Sequence, residues 1–261
     1  MSIADHDIVS QRYFFPTRQP LSGARVVDVG EAELACFAAD RGHDLTLIHF
    51  HGNGEIVGNY VPWFADTINE LGANTFLAEY RGYGGSTGTP RLGAMLDDAS
   101  PIHDAIQQGM GVPDEQMVVF GRSIGSIYAI EFAARHPDIA GLVLESGIAD
   151  VLERILLRAS PAELGTPAEA MQEEFGRLFD HEQKLREYPG KTLVLHAKGD
   201  SLVDRTHAER NARWAGEEGG DVRLVLFDRG DHNTIFGANE REYLRELGEF
   251  LDRAKDAGSP K

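Results

Sequence analysis

Two rhythms of apolar and polar positions alternate along the chain. One is the short continuous apolar or β-branched run, seen at residues 45–50, 74–79, 118–120, 140–145, 191–196 and 222–227. Such runs predict strands covered on both faces. The other is recurrence every three or four residues, which predicts amphipathic helices. It occupies 56–71 (Tyr60, Trp63, Phe64, Ile68), 97–108, the stretch from 125 to His136-Pro137, and 205–214. A last amphipathic helix carries Tyr243, Leu244, Leu247, Phe250 and Leu251. Residues 25–29 and 33–39 read as two further strands around a Gly30-Glu31 turn, an antiparallel hairpin. Strands alternating with helices predict an α/β fold: a mostly parallel sheet of about eight strands, helices on both faces and right-handed crossovers.

Residues 147–188 break the rhythm, with about forty positions and no strand pattern. Leu152, Ile155 and Leu156, then Phe175, Leu178 and Phe179, recur at helical spacing, interrupted by Pro161 and Pro167. The segment is expected to be a small helical cap over the carboxyl edge of the sheet, where open α/β sheets bind ligands. The chain is otherwise expected to form one domain over residues 1–261, ending in a disordered tail at 257–261.

Composition narrows the possible functions. The 261 residues are 42% hydrophobic and 26% charged, with a formal net charge of −17. That charge repels nucleic acid and anionic membranes and makes polyanionic substrates less attractive, although a local basic pocket could override it. No apolar run approaches the roughly 18 residues of a membrane helix. Asp5, His6 and Asp7 stand where a signal peptide would be basic and then apolar. One cysteine, Cys36, leaves no internal disulfide and fits a reducing compartment. The expectation is a cytoplasmic protein acting on a small-molecule or acyl substrate, with no nucleic-acid partner and no stable membrane insertion.

The candidate chemistry centres on Val118-Val119-Phe120-Gly121-Arg122-Ser123-Ile124-Gly125-Ser126, an apolar run entering Gly-x-Ser-x-Gly ahead of a helix. This is the pattern of a nucleophile elbow, with the serine on a strained strand-to-helix turn where helix N–H groups favour negative charge. A serine nucleophile needs a base, a group to hold that base, and donors for an oxyanion. His232, in the loop after the last strand run, is the expected base. Asp200, just past the 191–196 run, is the favoured acid; Glu145, Asp204 and Asp231 are its competitors. The backbone N–H groups of Ile124 and Asn53 are the candidate oxyanion donors, and Gly52 permits the tight turn beside Asn53. His51 is expected to bridge loops, and Tyr80 or Arg81 to anchor the oxyanion loop. His49 and His51 share a strand face but have no third ligand at metal spacing, so no metal is expected. The glycines at 82, 84, 85 and 88 lack the Gly-Lys-Ser/Thr of a phosphate loop, and no cofactor site is apparent.

Taken in order, His51-Gly52-Asn53-Gly54, Tyr80-Arg81-Gly82-Tyr83-Gly84-Gly85-Ser86, Gly121-Arg122-Ser123-Ile124-Gly125, His196 to Asp200 and Gly230-Asp231-His232 resemble the α/β-hydrolase superfamily. Within it they resemble the branch of the Bem46-like proteins and the α/β-hydrolase domain-containing proteins 13 and 17. The resemblance spans about residues 25–251. It implies the α/β-hydrolase fold, a Ser123–Asp200–His232 triad and hydrolysis of an acyl ester or thioester; some relatives remove fatty acyl groups from protein cysteines. The chain departs from the branch in lacking a cysteine-rich N-terminus, and in reading His-Ala-Lys-Gly-Asp where His-Gly-x-x-Asp is usual. Amide and C–C hydrolases of the superfamily share these residues, as would a binding protein built on the scaffold.

Overall fold

The computed structural model describes residues 2–257. In chain order the elements are α1 (Asp7–Tyr13), β1 (Arg25–Asp28), β2 (Glu33–Ala39), β3 (Leu45–Phe50), α2 (Val57–Tyr60), α3 (Phe64–Glu70) and β4 (Ala73–Ala78). There follow α4 (Ala94–Asp97), α5 (Ala99–Met110), β5 (Met117–Arg122), α6 (Gly125–Arg135) and β6 (Gly141–Glu145). The rest comprises α7 (Val151–Leu156), α8 (Ala168–Leu178), α9 (His181–Glu187), β7 (Lys191–Ala197), α10 (Arg205–Gly216), β8 (Val222–Phe227) and α11 (Ile235–Ala257).

The eight strands form one sheet in the order β1-β2-β4-β3-β5-β6-β7-β8. The β1–β2 hairpin joins antiparallel to β4, and every pairing from β4 to β8 is parallel. The strand and helix pattern predicted such a mostly parallel sheet, and the resemblance implied the α/β-hydrolase arrangement seen here.

The continuous apolar runs are explained by two cores, one per face. Side chains alternate along a strand. Ile48 and Phe50, Val119, Leu142 and Leu144, and Val194 therefore enter the core that also holds α5 and α6. Leu45 and Leu47, Val118 and Phe120, Val143, and Leu193 and Leu195 enter the other, with α3 and α11. A strand buried on both sides has no polar face, so its sequence shows none.

Three local expectations are corrected. The helix expected over 56–71 is two helices, α2 and α3, with a break at 61–63. Pro62 lies in that break; it has no N–H to donate, and its ring would strike the carbonyl four residues earlier. The 97–108 helix begins earlier, as α4, and turns at Asp98 before α5. Its Asp98 side chain is drawn off to Arg81, whose Nη2 lies 2.6 Å from Oδ1. Helix α1 was not apparent in the pattern at all. Of the expected tail, Ala257 closes α11, and 258–261 lie outside the described residues.

The strandless segment holds α7, α8 and α9, between β6 and β7. Helix α9 packs on α6 and α10. The start of the segment is tied to the elbow helix, because the Ile148 N–H donates to Ser126 Oγ (2.8 Å).

Candidate active site

The parallel direction of β3 to β8 brings the loops after β3, β5, β7 and β8 to one edge of the sheet, the carboxyl edge where such sheets bind ligands. Ser123 stands one residue beyond β5, in the middle of the sheet. Its φ is +53°, a left-handed conformation unusual for a residue with a side chain. What holds it there is packing by its neighbours. A Cβ at Gly121 would lie 2.6 Å from Ala129 Cβ and from the Gly125 carbonyl oxygen, and one at Gly125 would lie 2.0 Å from the Phe50 carbonyl oxygen. Only glycine lets helix α6 sit this close to β3 and β5. The Ser123 N–H donates to the Glu145 carbonyl (2.8 Å), fixing the turn against β6.

His232 lies in the loop after β8, with Nε2 2.8 Å from Ser123 Oγ and Nδ1 2.7 Å from Asp200 Oδ2. Asp200 is held by its other oxygen, which accepts from the N–H groups of Leu202 (2.9 Å) and Val203 (2.8 Å). Burial pushes the Asp200 carboxyl up, but the bonds from His232 and Val203 outweigh it and hold the group below its usual range. The three competing carboxylates are otherwise engaged. Glu145 pairs with Arg122 Nε (2.9 Å) and accepts from the Tyr243 hydroxyl. Asp204 caps α10 by accepting from the Thr206 N–H (3.0 Å). Asp231 accepts from the N–H groups of Asn233 and Thr234, both at 3.0 Å.

The loop after β3 is anchored from three sides. His51 is fully buried, with Nε2 2.6 Å from Glu79 Oε1 and Nδ1 2.8 Å from the Gly52 carbonyl. Burial works against its charged form, yet Glu79 outweighs burial and raises its pKa. The Tyr80 hydroxyl donates to the His51 carbonyl (2.7 Å); Arg81 instead serves Asp98. The Asn53 side-chain oxygen accepts from Tyr83 Oη (2.8 Å) and from the Phe15 N–H (3.0 Å), while its amide nitrogen donates to the Tyr13 carbonyl. Among the described residues, the backbone N–H groups of Asn53 and Ile124 donate to no protein acceptor. His49 packs against Tyr60, Phe64 and Phe120, and burial lowers its pKa well below the usual value.

Arg122, the variable residue of Gly-x-Ser-x-Gly, joins the parts. Its guanidinium reaches Glu55, Glu145 and the His232 carbonyl (2.8 Å). Glu55 in turn accepts from the Gly52 N–H (2.6 Å). Burial disfavours the charged guanidinium, but the two carboxylates prevail and raise its pKa. Sequence reasoning passed over Arg122, since a motif read by its fixed positions hides its variable one. It also missed Asn239, whose side chain donates to the Arg229 carbonyl (2.9 Å) and marks a kink in α11 behind the His232 loop.

Ser123 opens on a cleft of about 230 Å³. Its apolar wall includes Phe15, Ile148, Leu202 and Val203, and its charged wall is Arg122, Arg154 and Arg158. Away from the cleft, His103, Asp114 and His136 bring possible metal-ligating atoms within 4.8 Å of one another. The two imidazoles stack at 3.7 Å and 8° there, so their in-plane lone pairs run side by side rather than converging.

The Hydrolase_4 family model, described as serine aminopeptidase, S33, matches residues 42–172, half of the chain. The chain belongs to this α/β-hydrolase family. Its similarities extend to the Bem46 and α/β-hydrolase domain-containing type. Over 206 residues it is 27% identical to the YfhR protein of Escherichia coli K12, covering 77% of this chain and 67% of that one. It is 24% identical over 214 residues to human α/β-hydrolase domain-containing protein 17B, covering 80% and 65%. The chain thus spans about two thirds of the length of either relative. Among solved structures, esterase Pf2001 of Pyrococcus furiosus matches this α/β-hydrolase with a TM-score of 0.73 at 18% identity, over 91% of this chain and 98% of that one. At that identity the match speaks for the fold. Among the described residues of this family member, no helix is long and apolar enough to cross a membrane.

Proposed function

We propose that this α/β-hydrolase is a serine hydrolase cleaving a carboxylic ester or thioester through an acyl-enzyme. The observation that carries the reading is the continuous relay Ser123 Oγ–His232–Asp200, at 2.8 and 2.7 Å, opening on the cleft floor. His232 Nε2 takes the serine proton as Oγ attacks the acyl carbon, and Asp200 holds the Nδ1–H tautomer and stabilises the imidazolium. The imidazolium then protonates the leaving alcohol or thiol. Water, activated by the same imidazole, releases the acid and restores Ser123. The free N–H groups of Asn53 and Ile124 are the donors for the oxyanion in both steps, each worth about 2.7–4 kcal/mol of barrier. The 147–188 segment acts as a cap whose α7 end walls the cleft. Cys36 takes no part: burial pushes its thiol up to about 12. A lone inert thiol fits the cytoplasm, where we place the enzyme.

The family's description favours a second reading, cleavage of a peptide's N-terminal residue. The cleft chemistry weighs against it, because an α-ammonium group would meet Arg154 and Arg158. Turnover of 4-nitrophenyl esters against aminoacyl 4-nitroanilides separates the two readings, and intact-protein mass after incubation with a fluorophosphonate tests the serine nucleophile that both require. One adduct on wild type and none on Ser123→Ala is the expected result; no adduct on folded wild type would overturn the hydrolase reading.

A further inference from the structure

The cleft has the wrong charge for its surroundings. The chain carries 42 acidic against 25 basic residues, yet the charged side chains lining the cleft beside Ser123 are three arginines. Arg122 is neutralised by Glu55 and Glu145. Arg154 and Arg158 are not, and the reason lies in the local pairing. The acids of their own segment are taken by other cations: Asp150 and Glu153 by Arg210 (3.2 and 3.4 Å), and Glu163 by Arg12 (2.8 Å). Among the described residues neither Arg154 nor Arg158 pairs with a carboxylate.

Their spacing is useful. Arg154 is in the last turn of α7, and the Arg158 N–H continues the turn by donating to the Ile155 carbonyl (2.8 Å). Both arginines line the cleft beside Ser123. The Arg158 guanidinium sits over the Phe15 ring, 5.7 Å from its centre, on the cleft wall. The backbone there is braced, since the Arg158 carbonyl accepts from Arg12 (3.0 Å). Two cations on one cleft with no protein counter-ion leave that cleft electropositive. An incoming anion can pair with them, since guanidinium forks match carboxylate and phosphate oxygens.

We infer that Arg154 and Arg158 receive an anionic group of the substrate, so that the ester or thioester cleaved at Ser123 carries a carboxylate or phosphate. This rests on the hydrolase reading and narrows its substrate class. The apolar wall of Phe15, Ile148, Leu202 and Val203 takes the hydrocarbon between that anion and the scissile carbonyl. The pair also supplies the local attraction that an anion needs to approach a protein of charge −17.

The test uses matched esters on the full chain. Valerate esters of propan-1-ol, 3-hydroxypropanoate and 2-hydroxyethyl phosphate place no charge, a carboxylate or a phosphate on the leaving side. 4-Nitrophenyl valerate and the 4-nitrophenyl half-ester of glutarate compare the acyl side. Wild type is expected to favour an anionic member by about tenfold or more in kcat/KM, and the pair showing it identifies the group and its side. The ratio should fall about tenfold in Arg154→Gln and in Arg158→Gln, through KM, as expected for losing one charge-assisted bond. Because the ratio is taken within each variant, loss of folded protein cancels. Neutral esters cleaved as well as their anionic partners, or an unchanged ratio in both variants, would overturn the inference while leaving the hydrolase intact. No ester cleaved and no fluorophosphonate adduct at Ser123 would overturn both.

Discussion

Two histidines here each meet a buried carboxylate, and their surroundings give them different work. His51 is closed at both nitrogens, by Glu79 and by the Gly52 carbonyl, and is fully buried. His232 is closed at one nitrogen by Asp200 and meets a hydroxyl at the cleft floor with the other. A ring with both nitrogens committed to permanent partners is a strut, and it braces the loop that carries Asn53. A ring with one nitrogen facing a group that gains and loses a proton can pass that proton on. The carboxylate pair alone does not separate the two histidines; what the second nitrogen touches does, and on the proposed triad it makes His232 the base.

The largest break in this comparison is Asp200→Asn. An amide can impose the wrong tautomer on His232, and kcat against a reactive ester should fall by about 10⁴ with little change in thermal stability. Retention of more than a tenth of wild-type kcat would argue against Asp200 as the orienting acid. Next in size is Glu79→Gln, which leaves His51 buried without its counter-charge. Chemical denaturation should show a loss of about 3–5 kcal/mol, with the kcat of the folded fraction within about tenfold of wild type. A kcat loss rivalling that of Asp200→Asn would erase the distinction between strut and base.

The smallest effect separates the pairs by pH. The pKa of His51 is raised above 6.5 in the fold. Its contribution is therefore complete below pH 6.5 and is lost as pH rises through the folded value, with a slope of at most about 1.4 kcal/mol per pH unit. Asp200 is depressed below 3.8. Its contribution is complete above pH 3.8 and is lost as pH falls through the folded value. Unfolding free energies of wild type and Glu79→Gln should thus converge on the alkaline side. A gap between them that stays constant from pH 6 to 9 would contradict the His51 assignment.

How much was legible in the sequence follows from which interactions leave a pattern. The β3 run Leu45–Phe50 matched the observed strand because burial on both faces writes itself into consecutive residues. Ser123, Asp200 and His232 could be named because each follows a strand run, and the parallel sheet gathers those ends. What escaped was set by contacts distant in sequence. Helix α1 and Phe15 meet the Asn53 loop from 40 and 38 residues away, which no local periodicity records. Arg154 and Arg158 were invisible beside the apolar positions used to predict a cap. Their meaning depends on Arg210 and Arg12 having taken the nearby acids. Pro62 was the reverse case, a local signal that breaks the helix although the apolar spacing runs through it.

The order of the site residues along the chain also sets an order in time. Ser123 follows β5, in the middle of the sheet, whereas the histidine it meets follows β8, at the edge and 109 residues later. At the pace of translation that interval is roughly 5–20 s. Throughout it Ser123 lacks the imidazole that the proposed triad assigns to it. On the proposed triad, Ser123 has no general base until the loop after β8 has been made, so a half-made chain meeting acyl compounds would lack the means to acylate itself.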